Sequence, residues 1–174
     1  MCEKSSAKRL AKKHHQDPLS RDASQRAAVI QRAAIFCRIV DFFGDAGFCW
    51  RLALALGRLG VGHVLLVIDR PDILDAMRGA EPAAGVTVLP WAATEAQWQR
   101  HGVPREQQAD LVIEAFACSP PKAYLEALSP QAQWITLDYL ATEPWADTVH
   151  GKASPSPSMR HPLAAGRRWW VPGF

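Results

Sequence analysis

Apolar residues in this chain come in short runs at regular intervals. The first, Ala33–Val40 (AAIFCRIV), is rich in β-formers and broken only by Arg38. A continuous run of that length predicts a strand buried on both faces. Four more runs have the same character: His63–Asp69, Val86–Trp91, Asp110–Phe116 and Gln133–Leu140. Helical patterns lie between them. Phe48–Leu59 spreads Trp50, Leu52, Leu54, Leu56 and Leu59 among small and basic residues and stops at Gly60, which predicts a helix with a glycine end. Pro71–Arg78 and Pro120–Leu128 predict short helices opened by proline. The stretch of about 20 residues between Trp91 and Asp110 also calls for a helix, because structureless connections of that length are uncommon. Strands alternating with helices at this spacing indicate βαβ units and a parallel sheet. The expected fold is therefore α/β and Rossmann-like, one parallel sheet between helices. Beyond Leu140 the pattern decays. His150–Pro162 (HGKASPSPSMRHP) is a loop by composition. The closing RRWWVPGF has the look of a strand or linker that awaits a partner.

Length and charge bound the reading further. At 174 residues, 48% hydrophobic and 21% charged, the chain can fill one well-packed domain but not two large ones. Its net charge of +3 is unevenly spread. Residues 1–32 hold eight Lys/Arg against three Asp/Glu, and the remainder holds 12 against 14. The division is thus a basic leader over 1–32 and a globular part over 33–174. The leader, poor in apolar anchors, is expected to be solvated and disordered; nucleic-acid binding through it is the sharper but less favoured reading. None of the four cysteines, Cys2, Cys37, Cys49 and Cys118, forms a C-x-x-C pair, so no zinc site is expected. They read as reduced core thiols. No apolar stretch approaches the roughly 18 residues of a membrane span, and the N-terminus lacks the apolar core of a secretory signal. The expectation is a cytoplasmic protein without a membrane partner.

The most informative segment is Val40–Leu56 (VDFFGDAGFCWRLALAL), which joins the first strand to the first helix. Asp41 and Asp45 lie in the connection, with Gly44 and Gly47 beside them. Strand-to-helix connections of this kind are where α/β proteins hold reacting groups. The glycines are spaced G-x-x-G without a preceding G-x-G, so a dinucleotide site is not favoured. Two carboxylates four residues apart can act as a base or hold a cation. They can equally be structural, Asp41 ending a strand and Asp45 capping the helix by accepting backbone N–H bonds. Among other residues, Trp134, Trp145 and Tyr124 read as core. Glu114, near the end of a strand, and His150 are weaker site candidates.

Five blocks together give a resemblance that covers residues 35–174. Ile35–Ala53 reads IFCRIVDFFGDAGFCWRLA against a family pattern of IFCRVVDNxGDxGVCWRLA. Ala109–Tyr124 (ADLVIEAFACSPPKAY), Trp134–Trp145 (WITLDYLATEPW), Val149–Pro157 (VHGKASPSP) and Trp169–Phe174 (WWVPGF) follow in the same order. The chain resembles the protein-arginine rhamnosyltransferases that modify bacterial elongation factor P. It departs from their pattern at Phe42, where the family has asparagine, at Asp138 for glutamate, at Val149 for cysteine and at Lys152-Ala153 for Leu-Pro.

The resemblance implies an N-terminal Rossmann-like domain of a GT-B glycosyltransferase, about half of a family member, with the donor-binding C-terminal domain absent. It implies inverting transfer of L-rhamnose from dTDP-β-L-rhamnose to an arginine of elongation factor P, with no cofactor and no metal. By family position Asp45 is the candidate general base and Asp41 the second carboxylate, orienting the guanidinium or Asp45. On this reading the isolated chain is expected to be inactive. The alternative is a non-catalytic module that holds elongation factor P; an unrelated nucleotide-binding Rossmann domain is disfavoured by the five blocks.

Overall fold

The computed structural model describes residues 29–78, 83–154 and 166–172. Most of the basic leader, residues 155–162 of the Ser/Pro-rich loop and the last two residues lie outside the described residues. The elements run β1 (Arg32–Cys37), α1 (Phe42–Arg58), β2 (His63–Ile68), α2 (Pro71–Arg78), β3 (Val86–Pro90), α3 (Trp91–His101), β4 (Leu111–Ala115), α4 (Lys122–Glu126), β5 (Gln133–Leu137), α5 (Trp145–Val149) and β6 (Arg168–Trp170). A single 3-10 turn, Arg105–Gln107, precedes β4. The six strands form one sheet in the order β3-β2-β1-β4-β5-β6, and every pairing is parallel. This is the strand order of a doubly wound, Rossmann-like fold, with its reversal between β1 and β4.

The expected strands form with ends trimmed by one to three residues, and the sixth arises from the tryptophan pair near the C-terminus. Period-two alternation sorts the side chains of β1. Ala33, Ile35 and Cys37 face the layer of α1 and α2 with Val64, Leu66, Ile68 and Leu74. Ala34 and Phe36 face the opposite layer, with Trp91, Trp98, Tyr124 and Trp134. Phe36 is its hub, its ring 5.6 Å from Trp91, 6.2 Å from Trp98 and 4.8 Å from Tyr124. Trp134 and Tyr124 are thus core residues, but Trp145, expected with them, is 48% exposed.

The largest departure from the sequence reading concerns α1. The helix begins at Phe42 rather than Phe48, so the supposed turn Asp41–Gly47 is its first two turns. Two glycines and two phenylalanines weaken the helical pattern there, and tertiary packing overrides it. Ala46, Cys49 and Ala53 are fully buried, and these small side chains let the helix lie close on the sheet. It ends as expected: Gly60 takes φ 95°, its N–H bonds to the Gly57 carbonyl, and the Val61 N–H reaches the Leu56 carbonyl. Such a left-handed glycine satisfies carbonyls that the helix leaves open. Among the described residues no helix is long and apolar enough to cross a membrane.

Candidate functional site

In an open parallel sheet the strand connections on either side of the order reversal leave the chain in opposite directions and open a crevice at the carboxyl ends. Here the β1–α1 and β4–α4 connections flank that point. A cleft of about 200 Å³ opens there, lined on one side by Asp41, Gly44, Asp45 and Phe48 from the start of α1. Phe116 beyond β4 and Asp138–Leu140 beyond β5 form the other side. The cleft carries three carboxylates, and among the described residues neither lysine nor arginine lines it.

Asp41 stands at the N-cap of α1 and Asp45 one turn inside, so both expected site residues meet in one cleft. Asp41 makes no side-chain cap bond. The work of capping falls to Asp45, whose Oδ2 accepts the backbone N–H groups of Val40 and Asp41, each at 2.8 Å. These are charge-assisted bonds at a helix N-terminus, where the dipole also favours a negative charge. Asp45 thus has a backbone-bonding role, reached from inside the helix and directed to the two residues ahead of it, while Asp41 holds the N-cap position. That role does not exhaust the residue, because both backbone bonds fall on one oxygen. The Tyr139 hydroxyl also donates to Oδ2, at 3.4 Å, and among the described residues no donor reaches Oδ1. Asp45 is 1% exposed, yet it lines the cleft.

Asp41 is exposed and folds back over the first turn of α1. A Cβ on Gly44 would collide with its Oδ2, so the carboxylate occupies space that only glycine leaves free. Asp138 accepts the Tyr139 N–H at 2.8 Å. Phe42, the departure beside Asp41, is 59% exposed and turns its ring to Arg70, whose guanidinium carbon lies 5.9 Å from the centroid. It does not line the cleft.

An aromatic wall completes the site. The rings of Phe116 and Tyr139 stack at 4.3 Å and 15°, and Phe48 meets Phe116 edge-on at 6.1 Å. Partial burial, followed by the adjacent Asp45 carboxylate, raises the Tyr139 phenol above its ordinary pKa, which keeps it a proton donor. The wall stands on unusual backbone. Phe116, Ala117 and Ser119 all have φ between 54° and 56°, a conformation that costs non-glycine residues energy and persists only where its surroundings enforce it. Glu114 is part of that enforcement. Its Oε1 accepts the Ser119 N–H at 3.0 Å, and its Oε2 pairs with Arg167 at 2.8 Å in a nearly closed environment. Glu114 thus anchors the loop from the opposite layer and does not line the cleft. His150 is likewise structural in its contacts: Nδ1 lies 2.8 Å from the Val171 carbonyl and the ring packs on Trp170.

Tyr139 and Phe116 were not singled out from sequence. Both lie in the last two residues of predicted strands within matched blocks, just beyond the observed ends of β4 and β5, and position at the carboxyl end of a parallel strand is the signal that finds them. The three described cysteines are buried. The hydrogen bond from Cys49 and then burial push the Cys37 thiol far up, and burial does the same to Cys118. Among the described residues no group of three His, Cys, Asp or Glu side chains could hold a metal.

Comparison with known proteins bears on this arrangement. Residues 33–174 match the sequence family described as Elongation-Factor P (EF-P) rhamnosyltransferase EarP. A protein-arginine rhamnosyltransferase of Pseudomonas putida is 39% identical over 152 residues, covering 80% of this chain and 36% of that protein. Namesakes from Pseudomonas aeruginosa and Neisseria meningitidis are 35% and 30% identical over 80% of the chain. The chain spans about 36% of the length of the first of these relatives.

Proposed function

Because the chain belongs to the family of EF-P rhamnosyltransferases, we propose that it forms the acceptor-side part of an enzyme that transfers L-rhamnose from dTDP-β-L-rhamnose to an arginine of elongation factor P. The observation that carries this reading is the pairing of Asp41 and Asp45 in one acidic cleft at the sheet's reversal point. The proposed whole enzyme is a two-domain GT-B glycosyltransferase, and this chain is its N-terminal Rossmann-like domain.

The chemistry asks for such a cleft. A guanidinium is always protonated near neutrality and its lone pair is delocalised, so it is a poor nucleophile. Carboxylates that accept its N–H bonds concentrate electron density on the attacking nitrogen. In the proposed step that nitrogen forms a bond to C1 of rhamnose on the face opposite the leaving group. The C1–oxygen bond to dTDP breaks, and dTDP departs with the electron pair. Asp45, drawing on the oxygen not committed to Val40 and Asp41, takes the proton as the C–N bond forms, because removal beforehand is too costly. Asp41, exposed at the cleft mouth, orients the guanidinium. Donors that neutralise the leaving diphosphate would come from residues beyond those described.

The test joins this chain to the remaining portion of the Pseudomonas putida relative and follows rhamnosylation of elongation factor P by mass spectrometry. A mono-rhamnosyl mass shift is expected, and Asp45→Asn should slow single turnover by about 10² to 10⁴, the usual loss with a general base. Turnover within a few-fold of the parent would leave Asp45 a helix cap only. The alternative reading is a module that holds elongation factor P without catalysis. Tight binding with no transfer by the joined protein would select it.

A further inference from the structure

The proposed chemistry needs more than carboxylates, because an acidic cleft would admit the ammonium of lysine as readily as a guanidinium. The two cations differ in shape. A guanidinium is flat and weakly hydrated on its faces, so it stacks on aromatic rings; an ammonium is compact and strongly hydrated. A side chain that selects between them should therefore present a fixed ring beside the acidic groups.

Tyr139 meets that description. Its ring is held in two ways: by the parallel stack on Phe116 at 4.3 Å, and by the hydroxyl bond to Asp45 Oδ2 at 3.4 Å. Phe116 is in turn braced edge-on by Phe48 and hydrogen-bonded through its own N–H to the Leu137 carbonyl at 2.7 Å. Tyr139 nevertheless remains 44% exposed and lines the same cleft as Asp41, Asp45 and Asp138. A tyrosine serving only as core would be closed off, as Tyr124 is in the same molecule at 0% exposure.

We infer that Tyr139 is the specificity-determining residue for the acceptor, its ring supplying the flat surface on which the substrate guanidinium lies while the carboxylates take its N–H groups. The hydroxyl has a separate task. With the two backbone N–H groups it completes three bonds to Asp45 Oδ2, which leaves Oδ1 for the substrate. This assignment rests on the acceptor reading given above. Ring and hydroxyl are separable by mutation, since phenylalanine keeps the first and leucine keeps neither.

The experiment titrates the full 174-residue chain calorimetrically with elongation factor P and with elongation factor P whose acceptor arginine is replaced by lysine. The chain should prefer the arginine form by tenfold or more. Tyr139→Leu should reduce that preference to threefold or less, and Tyr139→Phe should retain most of it. The ratio of the two affinities does not depend on the fraction of folded protein, so partial misfolding of a variant cannot imitate the result. If Tyr139→Leu keeps the full preference, or the parent shows none, Tyr139 is not the selecting residue and the acceptor reading survives. If the parent fails to bind elongation factor P at all, the acceptor reading falls and the role of Tyr139 falls with it.

Discussion

The two faces of the sheet are built from the same strands but are closed to different degrees. The face under α3 and α4 is filled with interlocking rings: Phe36, Trp98 and Tyr124 are all essentially inaccessible, and Trp98 and Tyr124 lie 4.8 Å apart. The other face is closed over β1 and β2 by α1 and α2. Over β4, β5 and β6 it carries an apolar groove of about 490 Å³, lined by Leu52 and Leu56 of α1 on one side and by Ile113, Ile135 and Trp170 of the strands on the other. Composition does not explain the contrast, since Ile113 is as apolar as its neighbour Val112, which points to the filled face. Topology does. Right-handed crossovers send the β1–β2–β3 connections to one face and the later ones to the other, so half of one face receives no helix from the described residues. Burial here is decided by connection handedness as much as by residue type.

Substitutions that differ only in the face they address would break this comparison. The largest loss is expected for Trp98→Ala on the filled face: about 3–5 kcal/mol, read by denaturant unfolding, with Gln107 also losing its 2.7 Å indole bond. Next come two enlargements. Val112→Phe has no free volume to enter and should cost about 1–3 kcal/mol, whereas Ile135→Phe, beside the groove, should cost less than about 1 kcal/mol. Equal losses would mean that the groove is closed in solution. Asp45→Ala, at the end of α1 nearest the cleft, should cost about 1–3 kcal/mol, because the Val40 and Asp41 N–H groups lose their acceptor. The smallest effect belongs to Leu59→Gln. That side chain is 82% exposed at the groove's far end, and the melting curve should move by no more than about 0.5 kcal/mol allows.

The same contrast marks what could be read from sequence. The strands were legible because two-sided burial leaves unbroken apolar runs, and the parallel sheet followed from their alternation with helices. The start of α1 was not, because Phe42–Gly47 lacks helical periodicity and is held by contacts to residues distant in sequence. Asp41 and Asp45 stood out through their position after a strand. The third bond to Asp45 Oδ2 did not, since its donor is Tyr139, 94 residues away. Glu114 illustrates the converse: its position suggested a site residue, and its side chain turns to the other layer to meet Arg167.

Gly44 has a consequence for how this protein would respond to selection. A glycine inside a helix costs roughly 1 kcal/mol relative to alanine, and Gly44 lies in the third position of α1. Alanine there would displace only the free end of the Asp41 side chain, a change the fold absorbs cheaply. A screen that rewarded thermal resistance alone would therefore favour Gly44→Ala and discard the carboxylate's position without registering a loss. Position 44 is one at which helix stability and the placing of the Asp41 carboxylate pull in opposite directions, and the glycine found there keeps the carboxylate where it is.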